Sequence, residues 1–194
     1  MPSPPPCPER CHVLLVGGGG REHALAWKLS QSRRLGTLWT THPGNPGIAE
    51  LTRPCPVDLD VRRPFHLRKW CDEAGIDLVV VGPEAPLAEG IADALQTERR
   101  LVFGPTRTGA RIEADKSWAK QLMRSASVPT ADGRTFTDLG TAREHGIARD
   151  RPCVVKASGL AAGKGVVVCD GPEEAVAALE RIMGERAFGD AGAE

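Results

Sequence analysis

The sequence has no excess of either charge: 25 Lys and Arg face 25 Asp and Glu over 194 residues. Nothing therefore marks nucleic acid or a membrane surface as the main partner, although a local basic pocket for a small anion is compatible. Long apolar runs are missing too. "VLLV" at 13–16 and "LVVV" at 78–81 are far too short to span a bilayer. The proline-rich start, "MPSPPPCPER", lacks the apolar stretch of a secretory signal and is expected to be a disordered tail over 1–10. The six cysteines, at 7, 11, 55, 71, 153 and 169, form no CxxC pair. Cys7, Cys11 and His12 make an incomplete metal set, and reduced thiols in a cytoplasmic protein are the simpler reading. There is no internal repeat.

Two familiar nucleotide motifs are also absent. "GGGGREHA" at 17–24 does not satisfy GxGxxG in either frame, because Glu22 or His23 falls where the third glycine is needed, so NAD is disfavoured. The turn still allows close backbone approach, and the helix start behind it offers free N–H groups to an anion. "VVKASGLAAGKGVVVCD" at 154–170 is not a Walker loop. Ser158 stands where the first glycine belongs, and Gly165 replaces the hydroxyl residue after Lys164. The β-branched "VVVCD" that follows predicts a hairpin with a glycine-rich tip rather than a strand-to-helix turn. Such a tip can fold over a triphosphate. Lys156 follows the apolar "CVV" and is expected to be half-buried. With Lys164 it gives two positive charges, each worth about 4 kcal/mol against a phosphate at about 4 Å before desolvation. Lys116 and Lys120 lie four apart on a predicted helix, which ordinarily means a solvated face.

Along the first half, strand and helix alternate: a strand over 12–16, a helix from Glu22, a strand near 37–41, a helix over "PFHLRKWCDEAGI", then "DLVVVGPEAPLAEGIADALQTE" as strand, turn and helix, and a strand at "RLVFGPT". That order predicts a parallel sheet covered by helices. The turns "GGGG", "PGNPG" and "GPEAPL" each follow a strand and should gather at the carboxyl edge, where such sheets bind ligands. Beyond them a long helix is expected over 106–127, ended by Val128-Pro129. An extended piece follows, then a helix capped by Thr137 or Asp138, the hairpin, and a helix opening on "GPEEA".

The residues "GGGGREHALAWKL", "PGNPG", "VVVGPEAPLAEGI", "FGPT", "KSWAKQLM", "VPTA", "VVKASGLAAGKGVVV" and "AFGDAG", in that order and spacing, resemble the glycinamide ribonucleotide synthetase family of ATP-grasp ligases. The likeness runs from about residue 13 to the last residues. It implies an α/β fold: a Rossmann-like parallel-sheet domain over 11–105, a connecting helix over 106–127, and the first part of an ATP-grasp domain (α+β) over 128–194. It implies ATP-driven ligation of glycine to 5-phosphoribosylamine, a step of purine biosynthesis. Lys116, Lys156, Gly159, Gly163, Lys164 and Gly165 would serve ATP. Gly18, Gly19, Gly20, Arg21, Asn45, Gly82, Pro83 and Glu84 would serve the phosphoribosylamine side, with His23 capping or packing.

The resemblance also implies that the chain is an N-terminal fragment, inactive alone, with its Mg²⁺ (or Mn²⁺) ligands expected beyond residue 194 and no confident catalytic residue within it. Two alternatives stay open at this point. One is another ATP-grasp enzyme such as a carboxylase, and the other is a non-catalytic phosphoribosyl-binding fragment.

Overall fold

The computed structural model describes residues 8–149, 151–161 and 163–193. The proline-rich tail therefore lies outside the described residues up to residue 7. The chain divides into two compact units, Met1–Ala110 and Arg111–Glu194.

In the first unit the strands are β1 (Cys11–Val16), β2 (Leu35–Thr40), β3 (Arg53–Pro54), β4 (Leu78–Val81) and β5 (Leu101–Phe103). They form one parallel sheet in the order β3-β2-β1-β4-β5. Helices α1 (Gly20–Ser30), α2 (Pro46–Ala49), α3 (Phe65–Glu73), α4 (Glu84–Ala88) and α5 (Ile91–Leu95) connect them. Side chains alternate across a strand, so Leu14, Val16, Val79 and Val81 pack one way, with Leu67, Cys71, Ile91 and Leu95. Val13, Leu15 and Val80 pack the other way, with Ala26 and Leu38. Both faces are buried, which is why these strands read as unbroken apolar runs. Each fully buried leucine or valine contributes about 1.5–3 kcal/mol. The strand order reverses between β1 and β4, and a crevice opens at such a point beyond the carboxyl ends.

The structure departs from the sequence expectations in two places in this unit. The single helix expected after "GPEAPL" is two, α4 and α5, because Gly90 adopts φ +89° between them. The short α2 and β3 were not anticipated; α2 exists because Asn45 caps it and Pro46 starts it.

The helix expected over 106–127 is also two, α6 (Arg107–Ala114) and α7 (Lys116–Ser125). Asp115, extended at φ −136°, breaks the run and caps α7 through Trp118 N–H. The second unit continues with α8 (Leu139–Ile147), capped by Asp138 rather than Thr137. Strands β6 (Cys153–Lys156) and β7 (Val166–Cys169) pair antiparallel, Lys156 opposite Val166, so the expected hairpin is present. Helix α9 (Pro172–Leu179) covers one hairpin face through Ala175 and Ala178, against Cys169, Cys153, Val155 and Val167. Its last turn, Glu180–Gly184, is wound wider, as a π-helix.

Candidate functional site

In the first unit β1, β2 and β4 are neighbours in the sheet, so the turns that follow them meet at one edge. Side chains of the turns then tie them together. Asn45 Nδ2 donates to the Gly18 carbonyl at 2.9 Å. Its Oδ1 accepts from the Gly47 and Ile48 N–H groups at 3.1 and 3.4 Å. Both ends of that amide are thus engaged within the protein, and Asn45 acts by placing the Gly18 loop. His23 packs on Gly47, where a Cβ would come within 2.4 Å of the imidazole, so the histidine anchors α2 to α1. Arg21 donates to the Gly82 carbonyl at 2.6 Å and pairs with Glu84 at 3.7 Å, both side chains well exposed. Gly20 opens α1 and Pro83 precedes α4 as its N-cap residue. All eight residues expected on the phosphoribosylamine side, Gly18, Gly19, Gly20, Arg21, Asn45, Gly82, Pro83 and Glu84, therefore lie in these three converging turns.

One residue at this edge escaped the sequence reading. Glu22 is only 5% exposed, and its Oε2 accepts from the Gly19 N–H at 2.7 Å. Its only sequence signal was its place in the first turn of a helix behind a glycine cap, where an acid reaches back to the cap N–H.

In the second unit the N-terminus of α7 grips the start of the hairpin loop. Lys116 N–H donates to the Ser158 carbonyl at 2.9 Å, and Ser117 N–H to Ser158 Oγ at 3.2 Å. Lys116 Nζ donates to the Gly159 carbonyl at 2.7 Å. Burial pushes the Lys116 ammonium below its ordinary pKa, and the Lys156 charge pushes it further, while Glu113 opposes the fall. Lys120 Nζ reaches Thr130 Oγ1 at 2.8 Å and the Ala131 carbonyl. Neither lysine of the i,i+4 pair is merely a solvated face. Lys156 is exposed rather than half-buried, because β6 alternates and α9 covers only the face of Cys153 and Val155. Val154, Lys156, Val166 and Val168 occupy the other face.

A hollow of about 770 Å³ opens in this unit, with Lys116, Lys120, Arg134, Arg149 and Lys156 in its lining. Lys116 and Lys156 thus line the same hollow, among mostly apolar side chains and with Asp132 also in the lining. The structure does not bring Gly159, Gly163, Lys164 or Gly165 into that lining. Gly163 takes φ +75° with open space around it, and Lys164 is exposed, its N–H bonded to the Ala161 carbonyl at 2.9 Å. Gly165 is buried against Ala161 and Ala157, and Gly159, partly exposed, lies against Ala191; in each case a Cβ would clash. Ser158 and Asp115 were missed by sequence reasoning, since a serine at a failed glycine position carries no signal by itself. Among the described residues no group of three or more His, Cys, Asp or Glu is placed to hold a metal. No described helix is long and apolar enough to cross a membrane.

Two family profiles match the chain: Phosphoribosylglycinamide synthetase, N domain, over residues 11–113, and Phosphoribosylglycinamide synthetase, ATP-grasp (A) domain, over residues 114–194. A phosphoribosylamine–glycine ligase of Nostoc sp. is 49% identical over 180 residues, covering 93% of this chain and 42% of that protein. The trifunctional purine biosynthetic protein adenosine-3 of Chironomus tentans is 47% identical over 183 residues, covering 93% of this chain but 13% of its own. A solved phosphoribosylamine–glycine ligase from Thermotoga maritima superposes with a TM-score of 0.68 at 29% identity, covering 92% of this chain and 41% of that one. The biotin carboxylase domain of the Hydrogenobacter thermophilus 2-oxoglutarate carboxylase reaches the same TM-score at 20% identity, a likeness of fold alone. The chain spans less than half the length of each of these relatives.

Proposed function

The chain belongs to the phosphoribosylglycinamide synthetase family, and from that premise we propose that it is part of an ATP-dependent ligase joining glycine to 5-phosphoribosylamine. The products are glycinamide ribonucleotide, ADP and phosphate, in purine biosynthesis. The observation that carries this reading is the meeting of three glycine-bearing turns at the sheet's switch point, bound to one another through Asn45 and Arg21. These turns take the phosphoribosylamine, and the cations of the second unit take the triphosphate.

In the reaction a glycine carboxylate oxygen attacks the γ-phosphorus, the bond to the ADP oxygen breaks, and glycyl phosphate forms. The amine of phosphoribosylamine then attacks the glycyl carbon, phosphate leaves with the bonding pair, and the amine loses its proton. No covalent bond to the protein is needed, so its contribution is positioning and charge neutralisation. Gly18, Gly19, Gly20, Gly82 and Pro83 shape the sugar-phosphate cradle, and Arg21 with Glu84 flanks it. Lys116 and Lys156 offset phosphate charge, while Gly159, Gly163, Lys164 and Gly165 form a loop that folds over the nucleotide. Mg²⁺ supplies further charge neutralisation when bound. The protein is expected to work in the cytoplasm.

Isothermal titration of the chain with ribose 5-phosphate, and then with ATP, tests the division between the units. Binding of the sugar phosphate that survives removal of residues beyond 110 supports it; binding of neither ligand counts against it. For the full-length ligase, ATP turnover dependent on bicarbonate and indifferent to glycine would replace this reading with a carboxylase.

A further inference from the structure

We propose that Glu22 is a positioning residue of the phosphoribosyl site, its buried carboxylate acting as the spacer that sets the gap between the loop after β1 and the loop after β4. This rests on the reading that those loops hold the phosphoribosyl substrate. The side chain lies between the two loops. A Cβ on Gly82 would stand 2.1 Å from Glu22 Oε1 and 2.6 Å from its Cδ. A Cβ on Gly17 would stand 2.7 Å from its Cγ, and Gly17 also holds φ +115°. Both glycines are therefore required by the glutamate between them, as well as by the approach of a ligand. Neither contact leaves room for a methyl group unless Glu22 or a loop moves, and at Gly17 Pro83 Cδ stands as close, at 2.7 Å.

The carboxylate also decides which amides face the ligand. Oε2 occupies the Gly19 N–H at 2.7 Å, which withdraws that donor. The N–H groups of Gly20 and Arg21 follow in the first turn, where a helix has no acceptor of its own. They remain for a phosphate or a sugar hydroxyl. The adjacent Arg21 spans the same gap from the exposed side by its 2.6 Å bond to the Gly82 carbonyl. One turn of α1 thus meets the β4 loop twice, by packing of the buried spacer on Gly82 and by the hydrogen bond of the exposed strap. Glu22, 5% exposed, does not itself touch the substrate. A charge is costly to bury, and its position at a helix N-terminus with a bonded N–H offsets that cost.

The test uses the whole chain with Glu22→Gln, Glu22→Ala, Gly82→Ala and the double variant Glu22→Ala/Gly82→Ala. Calorimetry with ribose 5-phosphate gives affinity, amide exchange at Gly19 reports the bond to Oε2, and thermal melting reports stability. Glu22→Gln keeps the shape and should bind within about threefold of the parent, whereas Glu22→Ala should lose at least about tenfold, since misplacement of about 1 Å is that damaging. Gly19 exchange should accelerate in Glu22→Ala. Gly82→Ala should weaken binding in the parent but add little in Glu22→Ala, because its clash partner is gone.

A structural glutamate would lower the melting temperature of Glu22→Ala and leave the affinity of the folded protein unchanged. That result overturns the proposal, and so does a Gln variant as damaged as the Ala variant. Should Glu22→Ala not fold, Glu22→Gln and Gly82→Ala still decide: strong loss with Gln, or none with Gly82→Ala, refutes the spacer. If the parent chain binds no ribose 5-phosphate, the phosphoribosyl reading falls separately. The Gly19 exchange rate and the Gly82 coupling in melting temperature still judge whether Glu22 sets the gap.

Discussion

The two units hold their candidate residues in opposite ways. In the first, two side-chain hydrogen bonds cross between turns, Asn45 to Gly18 and Arg21 to Gly82, and Glu22 closes its own turn on the Gly19 N–H. In the second, the base of the loop is gripped by Lys116, Ser117 and Asp115 through Ser158, while its tip at Gly163 and Lys164 is exposed. A pre-formed cradle keeps the ordering cost of binding low. A loop fixed at its base and open at its tip instead spends binding energy on closing. On the proposed assignment, the sugar-phosphate side is built by hydrogen bonds before the ligand arrives, and the nucleotide side is completed on binding.

The comparison breaks most readily at Lys156. It sits on the uncovered face of the hairpin, and its charge helps to depress the Lys116 ammonium. In the full-length ligase Lys156→Ala should lower kcat/KM for ATP by about 10²–10³, the usual cost of removing a charge-stabilising donor. The KM for phosphoribosylamine should hold. Lys164→Ala should act in the same direction. Steady-state assays with each substrate varied in turn separate these effects, and an equal rise in both KM values would erase the division of labour.

A smaller effect is expected at Glu84. Its pair with Arg21 at 3.7 Å is exposed, so the ion pair adds little stability. A bond to the substrate by a charged group is worth about 1.5–3 kcal/mol. Glu84→Ala should therefore raise the KM for phosphoribosylamine by about 10- to 100-fold, with ATP parameters and melting temperature near those of the parent. A change in ATP parameters alone would place Glu84 on the wrong side of the comparison.

Much of the first unit was legible because its signals are local. Apolar runs alternating with glycine turns and helical stretches predict a parallel sheet, while the strand order and β3 come from the structure. The gathering of 17–20, Asn45 and 82–84 was then a matter of topology. What escaped depended on tertiary placement. Glu22 is an ordinary first-turn acid until the β4 loop closes over it. Lys156 follows "CVV", which suggests burial, yet strand alternation turns it outward once α9 covers only one hairpin face. Asp115 reads as one more helical residue, since helix propensity does not show that its carboxylate restarts the helix. Gly90 was similarly hidden: a glycine in a helical pattern is tolerated, and only its positive φ shows that it breaks the run.

A still smaller change sharpens the anchoring half of the comparison. Asp115 Oδ1 accepts from the Trp118 N–H at 2.9 Å, so Asp115→Ala should cost about 1 kcal/mol, the usual loss for a missing cap. The loss should fall on the second unit and be seen in amide exchange along α7, with β1 and β4 unchanged. Equal exchange changes in both units would mean that the cap has no special hold on the loop base.

The last expectation concerns acid. Burial tends to raise the Asp115 carboxyl, but the bonds from the Trp118 N–H and from Arg111 outweigh it, and its pKa falls below the ordinary 3.8. The bond from the Thr141 N–H lowers Asp138 in the same sense. A carboxylate with a lower pKa folded than unfolded leaves the unfolded chain binding more protons between the two values. Its contribution is therefore complete above pH 3.8 and disappears as pH falls through the lower, folded value. Both caps lie in the second unit, so acidification should release Trp118 while the Trp39–Trp70 edge contact of the first unit, 5.3 Å between ring centres, persists. A Trp118→Phe variant isolates the two fluorescence signals. Asp115→Asn keeps a capping oxygen but cannot titrate, so it should remove the Asp115 share of the second unit's acid response, leaving that of Asp138, at little cost near neutrality. An acid transition that is unchanged in Asp115→Asn would show that the anchoring of α7 does not depend on this charge.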